Sequence, residues 1–263
     1  MARFITLCSS SGGNAAYIGY GNYGVLVDAG FSCRRLKTAM AETGVDPKSV
    51  RAIFLTHEHG DHIAGVRVLA NQLNVPVYAT GGTLSGLMKT EQFDGSYVTE
   101  KLTPDGVAVG DMHVGWFRTS HDAKESCGYV ISLPDGRTVG TCTDTGVVTD
   151  DMLVALSGCD LVLLESNYDE DMLTHGFYPP QLKARIRSSF GHLSNDASAE
   201  AAVRLLNAGT RYFVLGHLSR ENNTPALARG AAAFAFKKAG AKEGSDFALH
   251  VAPVERMDKP IVF

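Results

Sequence analysis

Long hydrophobic runs are missing from this chain of 263 residues. None approaches the roughly 18–20 residues that a helix needs to cross a bilayer, which excludes a helical membrane protein. Paired cysteines are missing as well. Cys8, Cys33, Cys127, Cys142 and Cys159 are odd in number and hold no C-x-x-C pair, so reduced core thiols are expected, not a disulfide scaffold or a cysteine-based zinc knuckle. No sign of charge dominates: 24 basic and 28 acidic side chains leave −4 with histidine neutral. That argues weakly against indiscriminate nucleic-acid binding. A nucleic-acid enzyme stays open, because bound divalent cations offset carboxylates locally. Tryptophan occurs once, as Trp116, and most of the 12 phenylalanines read as core, so no aromatic interleaving marks a single-strand stacking platform. The first ten residues carry one arginine and no cleavable apolar segment, so a cytoplasmic location is the expectation.

What remains is an ordinary globular composition, 44% hydrophobic and 20% charged, at a length that buries a sizeable core. No linker rich in proline, serine or charge interrupts it and no repeat is visible, so residues 1–263 read as one domain. Short strands are expected at Phe4–Cys8, Ala15–Gly19, Tyr23–Val27, Val50–Thr56, Val75–Ala79, Gln92–Thr99, Gly106–Val109, Met112–Thr119, Ser126–Leu133, Arg137–Cys142, Leu161–Glu165, Arg211–Gly216 and Asp246–Val251. Helical spacing covers Ser32–Thr43, Ile63–Leu73, Gly81–Thr90, Thr149–Leu156, Pro179–Phe190, Ser194–Asn207 and Pro225–Lys238. This alternation favours an α/β architecture of packed sheets covered by helices.

The strongest chemical signal is Thr56-His57-Glu58-His59-Gly60-Asp61-His62, directly after an apolar strand. Three imidazoles and a carboxylate suit zinc, manganese or iron far better than they suit a core. His57 and His59 alternate, so an extended strand end directs both to one ion, while Asp61 and His62 lie where the chain turns helical and reach toward a second. The His-Glu-x-x-His helical pattern is absent.

This loop resembles the signature of the metallo-β-lactamase superfamily, and further residues match in order: Asp28, His121 in Ser120-His121-Asp122, Asp144 in Thr143-Asp144-Thr145-Gly146, and His217 in Gly216-His217-Leu218-Ser219. The resemblance implies a four-layer αβ/βα sandwich of hydrolases with one or two metals. It places His57, His59 and His121 on one ion, Asp61, His62 and His217 on another, Asp144 between them, and Asp28 behind the histidine loop. Ser9-Ser10-Ser11-Gly12-Gly13-Asn14-Ala15, Glu165-Ser166-Asn167-Tyr168, Gly191-His192-Leu193-Ser194-Asn195 and His217-Leu218-Ser219-Arg220-Glu221-Asn222-Asn223 are similar to the bacterial YycJ/WalJ group, whose members are described as DNA exonucleases. No room is seen for the inserted domain of the β-CASP nucleases.

The resemblance therefore implies a phosphodiesterase, a 5′-to-3′ DNA exonuclease with hydroxide supplied by two Mn2+ or Zn2+ ions and Asp61 orienting the nucleophile. His192 reads either as a residue capping the following helix or, by likeness to tRNA-processing relatives, as the proton donor to the leaving oxygen. The serine-rich turn reads either as a tight hairpin start or as a phosphate receptor through Ser9, Ser11 and Asn14; it lacks the P-loop ending. Arg220 and Asn223 are candidates for the substrate backbone, and Lys183, Arg185 and Arg187 for a solvated face or a DNA contact. An RNA-processing nuclease, a small-molecule metallo-hydrolase and a metal-dependent binding module are the alternatives, with DNA the expected partner and RNA possible.

Overall fold

The computed structural model describes residues 1–263. Strands β1 (Ala2–Ser10), β2 (Gly13–Tyr20) and β3 (Tyr23–Val27) form an antiparallel meander. After helix α1 (Cys33–Glu42), β4 (Val50–Phe54) joins β3 in parallel. Helices α2 (Gly60–Ile63) and α3 (Val66–Leu73) lead to β5 (Val77–Ala79), and α4 (Gly81–Leu87) leads to β6 (Thr99–Lys101). The second half begins with an antiparallel run, β7 (Val107–Val109), β8 (Met112–Arg118), β9 (Cys127–Ser132) and β10 (Thr138–Cys142). It continues through α5 (Asp150–Leu156) to β11 (Leu161–Glu165), then α6 (Glu170–His175), α7 (Pro180–Arg187) and α8 (Asn195–Asn207). Strand β12 (Tyr212–Gly216), helix α9 (Pro225–Lys238) and β13 (Ala248–Val251) complete a parallel set. A last strand, β14 (Ile261–Val262), returns to the edge of β1.

Two seven-stranded mixed sheets result, ordered β14-β1-β2-β3-β4-β5-β6 and β13-β12-β11-β10-β9-β8-β7. One core runs from α1 and α3 through the first sheet and onto the inner face of the second. Phe54 of β4 meets Tyr129 of β9 edge-on at 5.6 Å, and the Tyr129 hydroxyl donates to the Leu55 carbonyl, so the two sheets are fixed to each other just behind the histidine loop. A second core packs α5, α8 and α9 on the opposite face through Leu156, Leu205, Phe213 and Phe236. This is the expected four-layer sandwich. A third, small cluster of Tyr168, Leu173 and Ile186 holds α6 and α7 over one end.

Local chemistry sets the element ends. Ser194 caps α8 through the Ala197 N–H, and Thr224 caps α9, with Pro225 at its first turn. The strand expected at Gln92–Thr99 is mostly turn, because Asp94 accepts from the Ser96 N–H and Gly95 takes φ +76°; pairing starts at Thr99. Helix α6 and strand β14 were not anticipated: each is too short to show a period.

No helix is long and apolar enough to cross a membrane.

Candidate metal centre

The chemistry-bearing residues lie where strands end. Asp28 follows β3, the histidine loop follows β4, and Asp144, Glu165 and His217 end or follow the neighbouring strands β10, β11 and β12. Asp28, Asp144 and His217 all adopt left-handed backbone, with φ of +63°, +60° and +55°. Only one other non-glycine residue, Asn74, does so. Such a conformation costs about 1–3 kcal/mol in a residue with a Cβ, so the fold holds these three side chains against local preference.

Four overlapping groups of ligand atoms form: His57 with His59 and His121, Asp61 with His62 and His217, His57 with His62 and Asp144, and Asp144 with Glu165, His192 and His217, each group lying within 4.8 Å. His59 Nδ1 is 3.3 Å from His121 Nε2. Asp61 Oδ2 stands 3.4 Å from His62 Nε2 and 3.6 Å from His217 Nε2. Asp144 reaches both sides, Oδ2 lying 3.1 Å from His62 Nε2 and Oδ1 3.7 Å from His121 Nε2. A tetrahedral ion with ligands at about 2.0–2.2 Å sets neighbouring ligand atoms about 3.3–3.6 Å apart, and these spacings match. His57 Nε2, His217 Nε2 and Asp144 Oδ2 are buried without a hydrogen-bond partner. With His57 on one side, His217 on the other and Asp144 reaching both, such unpartnered ligand atoms are the donor set of cations.

Four of the five rings are oriented from behind. His62 Nδ1 donates to Asp28 Oδ2 at 2.8 Å, His121 Nδ1 to the Gly191 carbonyl at 3.0 Å, and His217 Nδ1 to Glu165 Oε1 at 2.8 Å. Thr56 gives its hydroxyl proton to Asp28 and accepts from His57 Nδ1 at 3.0 Å. Those oxygens place the N–H on Nδ1 and leave Nε2 free to face the centre.

Burial and charge oppose each other here. Burial holds the His57 and His121 imidazoles below their ordinary range. Burial alone would also depress His217, but Asp144, Asp61 and Glu165 overcome it and push it up to about 10. At His62 burial is likewise outweighed, by Asp144, Asp28 and Asp61, and its pKa is raised well above the usual value. The carboxyl groups answer in kind. Burial opposes ionisation of Asp144, yet His217 and His62 hold it well below the usual range. The pocket calls for positive charge, as protons or as metal.

Residues 23–218 match the family described as a beta-lactamase superfamily domain. The chain belongs to the metallo-β-lactamase superfamily. It is 35% identical over 252 residues to the Exodeoxyribonuclease YycJ of Bacillus anthracis, covering 94% of each chain. It is also 35% identical over 251 residues to the Exodeoxyribonuclease WalJ of Streptococcus pneumoniae, covering 94% of this chain and 93% of the relative. The crystal structure of the metallo-beta-lactamase fold protein YhfI from Bacillus subtilis superposes with a TM-score of 0.73 at 19% identity, over 97% of this chain and 98% of that one. At that identity the likeness is one of fold. The protein is thus a metal-dependent hydrolase of this superfamily, with two clustered sites for metal ions.

The cleft of this superfamily member has a volume of about 230 Å3 and is bordered by Ser11, Asp61, Tyr178, Arg185, His192 and Ser219. His192 stands in it and does not cap α8, which Ser194 does. Its Nδ1 donates to Glu165 Oε1 at 2.7 Å. Glu165 is the residue that sequence reasoning missed. Fully buried, it accepts from His192 and His217 on one oxygen and from the Thr145 and Leu193 N–H groups on the other, at 2.9 and 3.2 Å. Burial would raise its carboxyl, but His192 and His217 bring it down to about 2. A carboxylate closing a wholly apolar strand, Leu161–Glu165, was the available signal.

Three expected substrate contacts face the protein instead. Ser9 is 2% exposed and its hydroxyl accepts from the His217 N–H at 2.9 Å. Asn14 donates to the Ser10 carbonyl at 3.0 Å and lies 3.1 Å from His62 Nε2. Asn223, 5% exposed, donates to the carbonyls of Ser166 and Asn167 at 2.8 and 3.0 Å. Ser11 and Arg220 are exposed, and the Arg220 guanidinium lies over Gly12, where an added Cβ would be 3.5 Å away. Among the helix α7 cations, Arg187 is paired with Glu170, whereas Arg185 borders the cleft and pairs with Asp122.

Proposed function

We propose that this protein is a nucleic-acid phosphodiesterase, a 5′-to-3′ DNA exonuclease. The observation that carries this reading is the match along 94% of the chain to two proteins named exodeoxyribonucleases. His192 supports it, because a proton-carrying group beside paired cation sites suits a leaving alkoxide.

In this reading His57, His59 and His121 hold one ion, Asp61, His62 and His217 hold another, and Asp144 reaches both. Two divalent cations such as Mn2+ or Zn2+ held there would lower the pKa of a bound water and offset charge on a phosphoryl group. Asp61, half-buried at the cleft, accepts a hydrogen bond from the attacking water and fixes its direction. His192 borders the same cleft, and with Nδ1 held on Glu165 its Nε2 is the ring atom left to pass a proton to the leaving oxygen. Ser11, at the cleft, and Arg220, beside Gly12, are the groups that would receive a 5′-terminal phosphate.

The test is a linear duplex bearing a 5′-phosphate or a 5′-hydroxyl, incubated with metal-stripped protein and added Mn2+ or Zn2+. Shortening from the 5′ end, lost in Asp61→Ala and His62→Ala, is expected, with the phosphorylated end preferred. Intact DNA under both metals refutes the DNA reading, and structured RNA is then the next substrate to try.

A further inference from the structure

Beyond the metal cleft, His121 also borders a second hollow of about 280 Å3, shared with Arg118, Ser120, Lys124, Phe190 and the carboxylates Glu125 and Asp151. Its size lies at the small end of ligand pockets, with room for a base and not for a duplex. Phe190 is 58% exposed at its edge. A solitary exposed phenylalanine usually means little, but the backbone beneath this one is fixed three times to the loop bearing His121. The Asp122 N–H donates to the Phe190 carbonyl at 3.0 Å, the Ser120 hydroxyl to the Ser189 carbonyl at 2.7 Å, and His121 Nδ1 to the Gly191 carbonyl. The ring is therefore presented to solvent from a rigid base, two residues before His192.

The charge beside it is also unusual. Arg118 is paired with Glu125 at 2.7 Å. Lys124 is not: Lys89 lies beside it, and contact between the two ammonium groups lowers the Lys124 pKa against the opposing pull of Glu58. Its backbone is held in place by Glu58, whose Oε1 accepts the Lys124 N–H at 3.0 Å. Two adjacent cations beside an exposed aromatic ring are the elements of single-strand recognition, phosphate attraction joined to base stacking.

We infer that the hollow of Phe190, Lys124 and Ser120 is a subsite for one unpaired nucleotide of the substrate strand, Phe190 stacking on its base and Lys124 with Lys89 meeting its phosphate. This rests on the nuclease reading and adds to it. The subsite adjoins the His57–His59–His121 group through His121, whereas Ser11 borders the cleft with Asp61 and His217, so the strand crosses the metal centre between two anchors. The end of a duplex must then open by at least one base before cleavage.

The test is binding of a short 5′-phosphorylated single strand with phosphorothioate linkages and 2-aminopurine near its 5′ end, to the metal-loaded protein. Phe190→Ala should weaken binding by about 5- to 150-fold, the range for loss of one stacked base. It should also abolish quenching of the 2-aminopurine, and Phe190→Trp should restore both. Lys124→Gln should flatten the dependence of log K on log salt by about 0.7, one phosphate on a single strand. Hydrolysis of bis(4-nitrophenyl) phosphate by the wild type reports the metal centre independently of strand binding. Phe234→Ala, which removes an exposed ring from α9, should change nothing. Wild-type binding that Phe190→Ala does not weaken overturns the subsite and leaves the nuclease reading intact. A wild-type protein that binds neither DNA nor RNA yet hydrolyses the small diester overturns both.

Discussion

Replacing Glu165 by glutamine tests how the centre is oriented, because the change removes one acceptor oxygen and almost no volume. Glu165 accepts four N–H groups, two from imidazoles on Oε1 and two from the backbone on Oε2. Glutamine has a single oxygen. If that oxygen faces the histidines, the Thr145 and Leu193 N–H groups meet an NH2 group in a buried site, leaving two donors unsatisfied at about 1–3 kcal/mol each. If it faces the backbone, the NH2 group meets His192 and His217, which escape the clash by moving a proton from Nδ1 to Nε2. The second arrangement wins, because imidazole can exchange tautomers and a backbone amide cannot.

His217 then presents an N–H where a ligand lone pair is needed. Affinity for the ion held by Asp61, His62 and His217 should fall about 10- to 100-fold, or about 1.4–2.8 kcal/mol, the usual effect of removing an orienting partner. The ion held by His57, His59 and His121 should bind as before, since none of those rings touches Glu165. Competition with a zinc chelator, fitted for two sites, separates the two affinities. Glu165→Asp, which keeps two acceptor oxygens, should recover part of the loss. Two ions bound by Glu165→Gln as tightly as by the wild type would refute the tautomer argument.

Metal uptake should release protons, because His62 and His217 are held protonated in the metal-free protein at neutral pH; calorimetry at about pH 8 in buffers of different ionisation heat should give about two per chain, and none would contradict this assignment. Without metal, stability should peak between the reference values 4.5 of Glu165 and 6.5 of His217. The raised His217 pKa contributes fully below 6.5 and is lost as pH climbs toward 10, while the depressed Glu165 pKa contributes above 4.5 and is lost as pH falls toward 2; chelated protein melted across that range checks both slopes. Asn223→Ala should lower stability by about 2–4 kcal/mol through unsatisfied buried groups, while Arg220→Ala should leave the Tm unchanged and raise KM for 5′-phosphorylated DNA. Phe236→Ala, which empties a fully buried position, should cost about 3–5 kcal/mol in urea unfolding, whereas Phe177→Ala on a ring 104% exposed should stay within about 0.5 kcal/mol.

The α/β alternation and the histidine loop are legible as patterns local in sequence, whereas the four-layer sandwich and the parts taken by His121, Asp144 and His217 come only from the resemblance to the metallo-β-lactamase superfamily. Apolar strands alternate with amphipathic helices, and His57, Asp144 and His217 each follow directly on one of those strands. The direction of a polar side chain is not local. Ser9, Asn14 and Asn223 have the same composition whether they face a phosphate or a neighbouring strand end, and their partners lie far away in the chain: Ser9 is 208 residues from His217, and Asn223 is 57 from Ser166. Glu165 escaped for the same reason, since its significance lies in two histidines that the sequence places after it and the fold places upon it. Phe190 is a similar case, one phenylalanine among 12 until its backbone is seen fixed to the His121 loop.

Two costs of the centre have a common origin. Asp28, Asp144 and His217 sit in left-handed backbone that glycine would adopt without strain. His57 Nε2, Asp144 Oδ2 and His217 Nε2 are buried with no partner, which apolar side chains would avoid. Neither feature helps the chain to fold. Both are needed if a ligand atom is to be immobile and still free to coordinate, because an atom already hydrogen-bonded would have to break that bond before binding an ion. The rigidity comes from the other end of each ring, where Asp28, Gly191 and Glu165 hold Nδ1, and from the Phe54–Tyr129 contact between the sheets behind the loop. A cation relieves the unsatisfied lone pairs without disturbing that support. Binding therefore stabilises the folded chain by mass action, about 2.7 kcal/mol at a free concentration 100 times Kd, and that gain should vanish in His217→Ala for the second ion while the first still contributes.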